Sequence, residues 1–125
     1  MTELVLLKLG GSLITDKTRP YTPRRDKLAD LAAQIASVRA GGNGMRLVLG
    51  HGSGSFGHTA AKEYGTRNGV RKAEDWKGFA EVHFQAAQLS QFVMEALHRV
   101  GISALAFPPS GTVIASDGKV SIWDT

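Results

Sequence analysis

Two glycine-rich stretches of this sequence hold the residues best suited to chemistry on phosphate groups. The first contains Gly10, Gly11 and Ser12, directly after an apolar run, with Lys8 just before it and Lys17 shortly after it. Glycine lets an anion approach the backbone because no Cβ is in the way, and lysine supplies positive charge. Lys8 either extends to a sheet edge or lies at a strand end facing a ligand, and the glycine turn after it favours the ligand.

The second stretch, LGHGSGSFGH at residues 49–58, is richer still in glycine and ends at His58. An apolar run, Leu47–Leu49, precedes it, and a helical pattern over residues 58–64 follows it. A strand, a glycine turn and a helix in this order direct backbone N–H groups and a helix N-terminus at an anion. A tight turn without a ligand is the alternative, but the density of glycine and the histidine favour an anion site.

The elements around these stretches predict an α/β fold. The apolar runs Leu4–Leu9 and Leu47–Leu49 predict buried strands, and the helix between them is predicted to start at Thr22 as N-cap and Pro23. This spacing is typical of a parallel crossover, which brings both glycine turns to one carboxyl edge of a sheet. Downstream, the pattern predicts a long amphipathic helix over residues 74–100, a third buried strand over 102–107, and a hairpin turn at 117–118.

Composition narrows the classes of function. The 125 residues make one domain or part of one, and the absence of cysteine excludes disulfides and thiolate metal sites. A formal charge of +4 suits an anionic ligand, and the scattered lysines and arginines favour a small phosphate compound over nucleic acid. No apolar run approaches the ~20 residues of a membrane span, and the N-terminus does not resemble a signal peptide, so we expect a cytoplasmic protein.

Two motifs resemble those of the amino acid kinase superfamily: LVLLKLGGSLITDK at residues 4–17 and LGHGSGSFGHTAAKEYG at residues 49–65. The first is shared across that superfamily, whereas the Ser-Phe-Gly-His that ends at His58 is similar to the isopentenyl phosphate kinase branch. The resemblance implies a three-layer α/β/α sandwich with a mainly parallel sheet. It further implies that residues 1–125 are the N-terminal, phosphate-acceptor part of such a domain, without the C-terminal nucleotide-binding part.

The resemblance also implies an activity, namely ATP-dependent phosphorylation of isopentenyl phosphate to isopentenyl diphosphate in isoprenoid biosynthesis. ATP and Mg²⁺ are the implied cofactors, no protein metal ligand is assigned, and a homodimer is expected. The implied catalytic residues are Lys8, Lys17 and His58. The implied ATP contacts are Lys8, Gly10, Gly11, Ser12 and Gly54. The implied acceptor contacts are Ser53, Gly57, His58 and Phe79, the last of which would enclose the isoprenoid tail.

Physical chemistry is consistent with these implied roles. Phosphoryl transfer needs positioning and positive charge more than covalent help from the protein. The acceptor is itself a phosphate, so repulsion between two anions is the main obstacle and no strong base is needed. Lysines and a hydrogen-bonding histidine reduce that repulsion, whereas a carboxylate in place of His58 would increase it.

Several alternatives remain open from the sequence. A phosphonate-antibiotic (fosfomycin-type) kinase of the same superfamily shares the glycine–histidine turn but needs no deep apolar pocket. Kinases that phosphorylate the carboxylate of glutamate or aspartate are disfavoured, because a carboxylate acceptor leaves His58 without the role it has beside a phosphate. A non-catalytic phosphate-binding fragment is a further alternative, since the 125 residues lack a nucleotide pocket and are expected to be inactive alone. A nucleic-acid binder is the weakest alternative.

Overall fold

The structure, a computed structural model, describes residues 2–42 and 44–124. Two parallel-sheet strands alternate with helices, and a hairpin follows. In chain order the elements are β1 (Leu4–Leu9), α1 (Gly11–Ile14), α2 (Arg25–Ala40), β2 (Arg46–His51), α3 (Gly54–Tyr64), α4 (Asp75–Arg99), β3 (Val113–Ser116) and β4 (Lys119–Trp123), with 3₁₀ turns at Thr66–Asn68 and Pro109–Gly111. Within the described ranges, no helix combines the length and apolarity that crossing a bilayer requires.

Strands β1 and β2 pair in parallel, from Leu4 opposite Arg46 to Leu9 opposite His51. Helix α2 connects them, so the predicted strand–helix–strand crossover is confirmed. Because the strands are parallel and in register, their carboxyl ends lie side by side. The two glycine turns therefore start from neighbouring positions at one edge of the sheet.

The helices of the described chain cover one face of this sheet. Leu9, Leu47 and Leu49 point to that face, where they join a core of apolar side chains from all four helices. That core contains Ile14, Leu28, Ala32, Ile35, Phe56, Leu89, Val93 and Leu97. On the opposite face, Leu4 and Leu6 are 52% and 75% exposed. The prediction of buried strands is therefore wrong for Leu4 and Leu6, because the described chain supplies only one layer of helices.

The third predicted strand, residues 102–107, is absent from the described structure, and the segment is irregular. Leu105 is 96% exposed and Phe107 72% exposed, so the prediction of burial is wrong as well. A strand exists only when a neighbour accepts and donates its backbone hydrogen bonds, and no described segment pairs with this one. The hairpin is confirmed: Asp117 and Gly118 both have positive φ, as a primed two-residue turn requires.

Two helix starts differ from the prediction. Helix α2 begins at Arg25 with Arg24 as its N-cap, because Pro23 instead pairs with Thr15 in an isolated antiparallel bridge. The hydroxyl of Thr22, the predicted cap, donates to the carbonyl of Pro20 at 2.9 Å and caps nothing. Helix α3 begins at Gly54 rather than at residue 58, so half of the glycine turn is the first turn of this helix.

Candidate active site

The two glycine turns pack against each other, backbone against backbone. A Cβ added to Gly11 would collide with the backbone nitrogen of Gly54, and one added to Gly52 would lie 2.8 Å from the nitrogen of Gly11. Side chains are thus excluded from this contact, which explains why both turns need glycine. The expectation that the turns lie along one edge of the sheet is confirmed by the contact.

Thr15 joins the two turns through its side chain. It is 1% exposed, and its Oγ1 donates to the carbonyl of Gly11 at 2.6 Å and accepts from the N–H of Ser55 at 3.0 Å. The sequence alone indicated no role for Thr15. The available signal was a hydroxyl side chain four positions after Gly11, but its second partner, Ser55, lies 40 residues away.

Thr15→Val is expected to lower the free energy of unfolding by about 2–3 kcal/mol. Valine keeps the shape of threonine but leaves the buried N–H of Ser55 without an acceptor, and an unpaired buried donor costs about 1–3 kcal/mol. Urea unfolding measures the difference, with Thr15→Ser as the control that keeps the hydroxyl. A valine variant as stable as the serine variant would contradict the bridging role.

Four backbone N–H groups at the contact have no hydrogen-bond partner among the described residues. They are the amides of Gly11, Ser12, Ser53 and Gly54, two from each turn. The last of these is the first residue of α3, so the positive end of that helix adds to the local potential. The rim between the turns is therefore a surface of free donors, which suits phosphate oxygens.

His58 lies on α3 one helical turn beyond Gly54, so the two share a face of the helix. Its side chain is exposed, and helical side chains lean towards the N-terminus, here towards the contact between the turns. Gly57 beside it is buried, and a Cβ there would collide with the side chain of Ser53. Ser53, Gly57 and His58 thus belong to one end of α3.

Lys8 and Lys17 flank this rim from different elements. Lys8 is exposed near the end of β1, beside Gly50 of β2, on the sheet face that no described helix covers. Lys17 is exposed two residues after Thr15, in the loop that leaves the first turn. Neither lysine is in an ion pair with another described residue. Both ammonium groups are free to approach an anion at the rim.

Asp16 closes the loop that carries Lys17. Its carboxylate accepts from the Thr18 N–H at 2.8 Å, from the Thr18 hydroxyl at 2.7 Å and from Nε of Arg19 at 2.9 Å. The hydroxyl bond of Thr18, followed by the other two, lowers the pKa of Asp16 to about 2. The carboxylate therefore stays charged and holds the loop closed at neutral pH.

The low pKa of Asp16 predicts a pH dependence of stability. Its folded pKa, about 2, lies below the unfolded value of about 3.9, so its stabilising contribution is complete above pH ~4. That contribution is lost as the pH falls from ~4 through about 2. NMR titration of the carboxyl carbon measures this, and Asp16→Asn should remove that part of the pH dependence of unfolding. A midpoint near the unfolded value would contradict the loop geometry.

Helices α3 and α4 run side by side in opposite directions. A Cβ on Gly78, near the start of α4, would collide with the side chain of Tyr64 at the end of α3. Further along α4, Ser90 is hydrogen-bonded to His51, just before the start of α3. His58 therefore lies midway, level with residues 83–85 of α4.

Phe79 lies outside the rim. It is 51% exposed near the start of α4, and its ring packs edge to face against Trp76 at 5.4 Å between centroids. From the level of His58, Phe79 is roughly 8 Å along the helix axis, at 1.5 Å per residue. The aromatic pair is thus an exposed apolar surface beyond His58 and not a contact of the glycine turns.

The described residues contain no group of three or more histidine and acidic side chains that could hold a metal ion. A cavity of about 460 Å³ lies away from the glycine turns, between α4 and the irregular segment at residues 102–105. Met94, His98 and Leu105 are among its lining residues. This cavity borders the unpaired segment and does not open onto the rim between the glycine turns.

The chain has two parallel strands, a glycine turn at the end of each and free lysines beside both. This arrangement is typical of α/β proteins that bind phosphate groups. The sequence profile of the amino acid kinase family matches residues 3–125, and the chain belongs to that family.

Curated relatives agree with this assignment. The chain is 32% identical to the isopentenyl phosphate kinase of Methanocaldococcus jannaschii, with 98% of the chain and 48% of that protein covered. It is 38% identical to the isopentenyl phosphate kinase of Haloferax volcanii, with 96% and 47% covered. The chain spans about half the length of the curated relatives it matches.

Solved structures match over the same extent. A set of X-ray structures of isopentenyl phosphate kinase superposes with a TM-score of 0.84 at 34% identity, covering 98% of this chain and 50% of that one. The product complex of the T. acidophilum isopentenyl phosphate kinase superposes with a TM-score of 0.77 at 30% identity, covering 96% and 47%. The predicted amino acid kinase fold, α/β with a parallel sheet, is confirmed.

Proposed function

We propose that this chain is the acceptor-binding half of an ATP-dependent kinase that converts isopentenyl phosphate to isopentenyl diphosphate in isoprenoid biosynthesis. The contact between Gly11 and Gly54 carries the proposal, because it joins two sets of free amides at one rim. The two relatives named isopentenyl phosphate kinase support the identity of the acceptor. A phosphonate-antibiotic kinase has no such support.

The proposed mechanism divides the rim between two phosphates. The β- and γ-phosphates of ATP contact Gly10–Ser12 and Gly54, while the acceptor phosphate contacts Ser53, Gly57 and the ring of His58. Lys8 and Lys17 neutralise the charge that spreads over the transferring group, and His58 donates a hydrogen bond to the acceptor. Since each phosphate is held by fixed donors, the anions are brought together without reorganisation of the protein during transfer.

Mg²⁺ is proposed to enter with ATP, and it neutralises phosphate oxygens when bound. Because the described residues offer no carboxylate cluster, we propose that phosphates and water supply most of its ligands.

The exposed Trp76–Phe79 pair is proposed to cover the isoprenoid tail, which extends from the acceptor phosphate along α4. A cytoplasmic location and a homodimer formed through this half are further proposals, based on the family resemblance.

The nucleotide-binding half is proposed to cover the open face of the sheet. Leu4, Leu6 and Val48 are each more than half exposed there, and Leu105 and Phe107 are exposed as well. An apolar surface of this kind is normally buried by another layer of the same fold or by a partner. In the proposed enzyme this layer and the partner strands for residues 102–107 come from the C-terminal half.

Leu6→Asp tests this arrangement. In the 125-residue chain, where Leu6 is 75% exposed, the change is expected to alter the free energy of unfolding by no more than about 0.5 kcal/mol. In the complete kinase the aspartate would be buried unpaired, so a loss of at least about 3 kcal/mol is expected. Urea unfolding of both proteins measures the difference. An equal, small effect in both would show that the other half does not cover this face.

A direct assay tests the proposed activity. The complete kinase is expected to consume ATP in the presence of isopentenyl phosphate and to form isopentenyl diphosphate, identified by ³¹P NMR. The 125-residue chain alone is expected to bind isopentenyl phosphate without turnover. If a small phosphonate is phosphorylated instead, and prenyl phosphates do not compete with it, the phosphonate-kinase alternative replaces this proposal.

A further inference from the structure

His51, the last residue of β2, has a partly buried ring that is hydrogen-bonded at both nitrogens. Its Nδ1 lies 3.0 Å from the carbonyl oxygen of Gly52, and its Nε2 lies 2.9 Å from the hydroxyl of Ser90 on α4. The ring therefore connects the second glycine turn to the middle of the long helix beside it.

The partners of His51 select one tautomer. A carbonyl oxygen only accepts hydrogen bonds, so Nδ1 must carry the proton that bonds Gly52. In the neutral ring Nε2 is then an acceptor, and the hydroxyl of Ser90 must donate to it. Ser90 thus stabilises the Nδ1–H form of the ring, the form that can hold Gly52.

The Gly52 carbonyl belongs to the same peptide unit as the N–H of Ser53. The described residues contain no cis peptide, and in a trans peptide the C=O and N–H bonds point in opposite directions. Because the carbonyl is bonded to His51, the N–H of Ser53 must point away from the ring. The preceding peptide is also fixed, since the N–H of Gly52 donates to the carbonyl of Leu9 at 2.9 Å.

We propose that His51 and Ser90 are positioning residues that direct the free N–H of Ser53 at the acceptor phosphate. The proposal rests on the function proposed above, because it takes the phosphate beside Ser53 to be that of isopentenyl phosphate. It adds that the direction of this donor is set by two side chains, the ring of His51 and the hydroxyl of Ser90, that do not touch the substrate. The hydrogen bond to the carbonyl also polarises the peptide and strengthens its N–H as a donor.

Ser90→Ala removes the donor to Nε2 and leaves the rest of the ring's surroundings in place. The Nε2–H tautomer then becomes accessible, and in that form a lone pair on Nδ1 faces the Gly52 carbonyl and repels it. The peptide is released, and the N–H of Ser53 loses its direction. We expect the KM for isopentenyl phosphate to rise about tenfold, the size of one charge-assisted hydrogen bond.

The experiment uses the complete kinase and compares Ser90→Ala with two controls. Ser90→Thr keeps the hydroxyl and should restore the KM for isopentenyl phosphate, while Ser37→Ala on the exposed side of α2 should leave it unchanged. The KM for ATP should stay within about twofold in all of them, because the released peptide carries the N–H of Ser53 and not the N–H groups of Gly10–Ser12 or Gly54. Long-range ¹H–¹⁵N NMR of the histidine ring should show Nδ1 protonated and Nε2 unprotonated in the parent enzyme.

The results separate this proposal from the function it rests on. An Nε2–H ring in the parent enzyme, an unchanged KM in Ser90→Ala, or equal increases in both KM values would overturn the positioning role alone. A parent enzyme that neither binds nor phosphorylates isopentenyl phosphate would overturn the proposed function, and the positioning role with it.

Discussion

His58→Ala in the complete kinase is expected to lower kcat/KM for isopentenyl phosphate about 100- to 1000-fold, the usual effect of removing one donor to a developing charge. His58 is exposed on α3, one turn from the contact of the glycine turns. Its side chain makes no hydrogen bond or ion pair with another described residue. Without the His58 side chain, one hydrogen-bond donor fewer offsets the repulsion between the acceptor phosphate and the phosphates of ATP. The dissociation constant for ATP, measured by calorimetry, is expected to change less than about threefold, because the nucleotide phosphates contact Gly10–Ser12 and Gly54 and not His58.

His98→Ala is the matched control, since His98 is an exposed histidine near the end of α4, beside the cavity away from the glycine turns, and its side chain has no hydrogen bond to a described residue. It should leave kcat/KM unchanged, which separates a specific role of His58 from a general effect of losing surface imidazole. Unaltered kinetics in His58→Ala would remove that residue from the mechanism.

Gly11→Ala is expected to destabilise the protein by about 3 kcal/mol and to abolish phosphate binding, because overpacking against backbone typically costs about 1–3 kcal/mol, occasionally more. The new methyl group would collide with the backbone of Gly54, and neither turn has a flexible side chain there that could move aside. The two turns must therefore separate, and the shared rim of free amides is lost. Urea unfolding and titration with isopentenyl phosphate measure the two effects.

Gly10→Ala is the neighbouring control for stability. A Cβ on Gly10 meets no atom within 4 Å, and its φ of −62° is accessible to alanine. Its free energy of unfolding should change by less than about 1 kcal/mol. Equal destabilisation by the two alanines would mean that backbone entropy, and not the contact with Gly54, decides the need for glycine.

The strands β1 and β2, the crossover and the positions of both glycine turns could be predicted because each depends on a local pattern of apolar residues and glycine. What could not be predicted depends on distant partners. Helix α2 starts late because Pro23 pairs with Thr15, and residues 102–107 form no strand because no described segment pairs with them.

Dependence on distant partners also explains which site residues the sequence did not indicate. The sequence indicated Lys8, Lys17 and His58 by type and position, and the geometry leaves all three free to act; their roles remain predictions. Thr15 and His51 act through partners 40 and 39 residues away, Ser55 and Ser90, so no local pattern identifies them. Residues that position a site are harder to read from sequence than residues that touch a ligand.

The central claim is that the two glycine turns hold two phosphates at one rim. A crystal structure of the complete kinase with isopentenyl phosphate and a non-hydrolysable ATP analogue tests it most directly. We predict the acceptor phosphate on Ser53–His58, the γ-phosphate on Gly10–Ser12, and an acceptor oxygen about 3–3.5 Å from the γ-phosphorus. Phosphates bound on separate faces of the fold, or an acceptor bound away from Ser53–His58, would contradict the account.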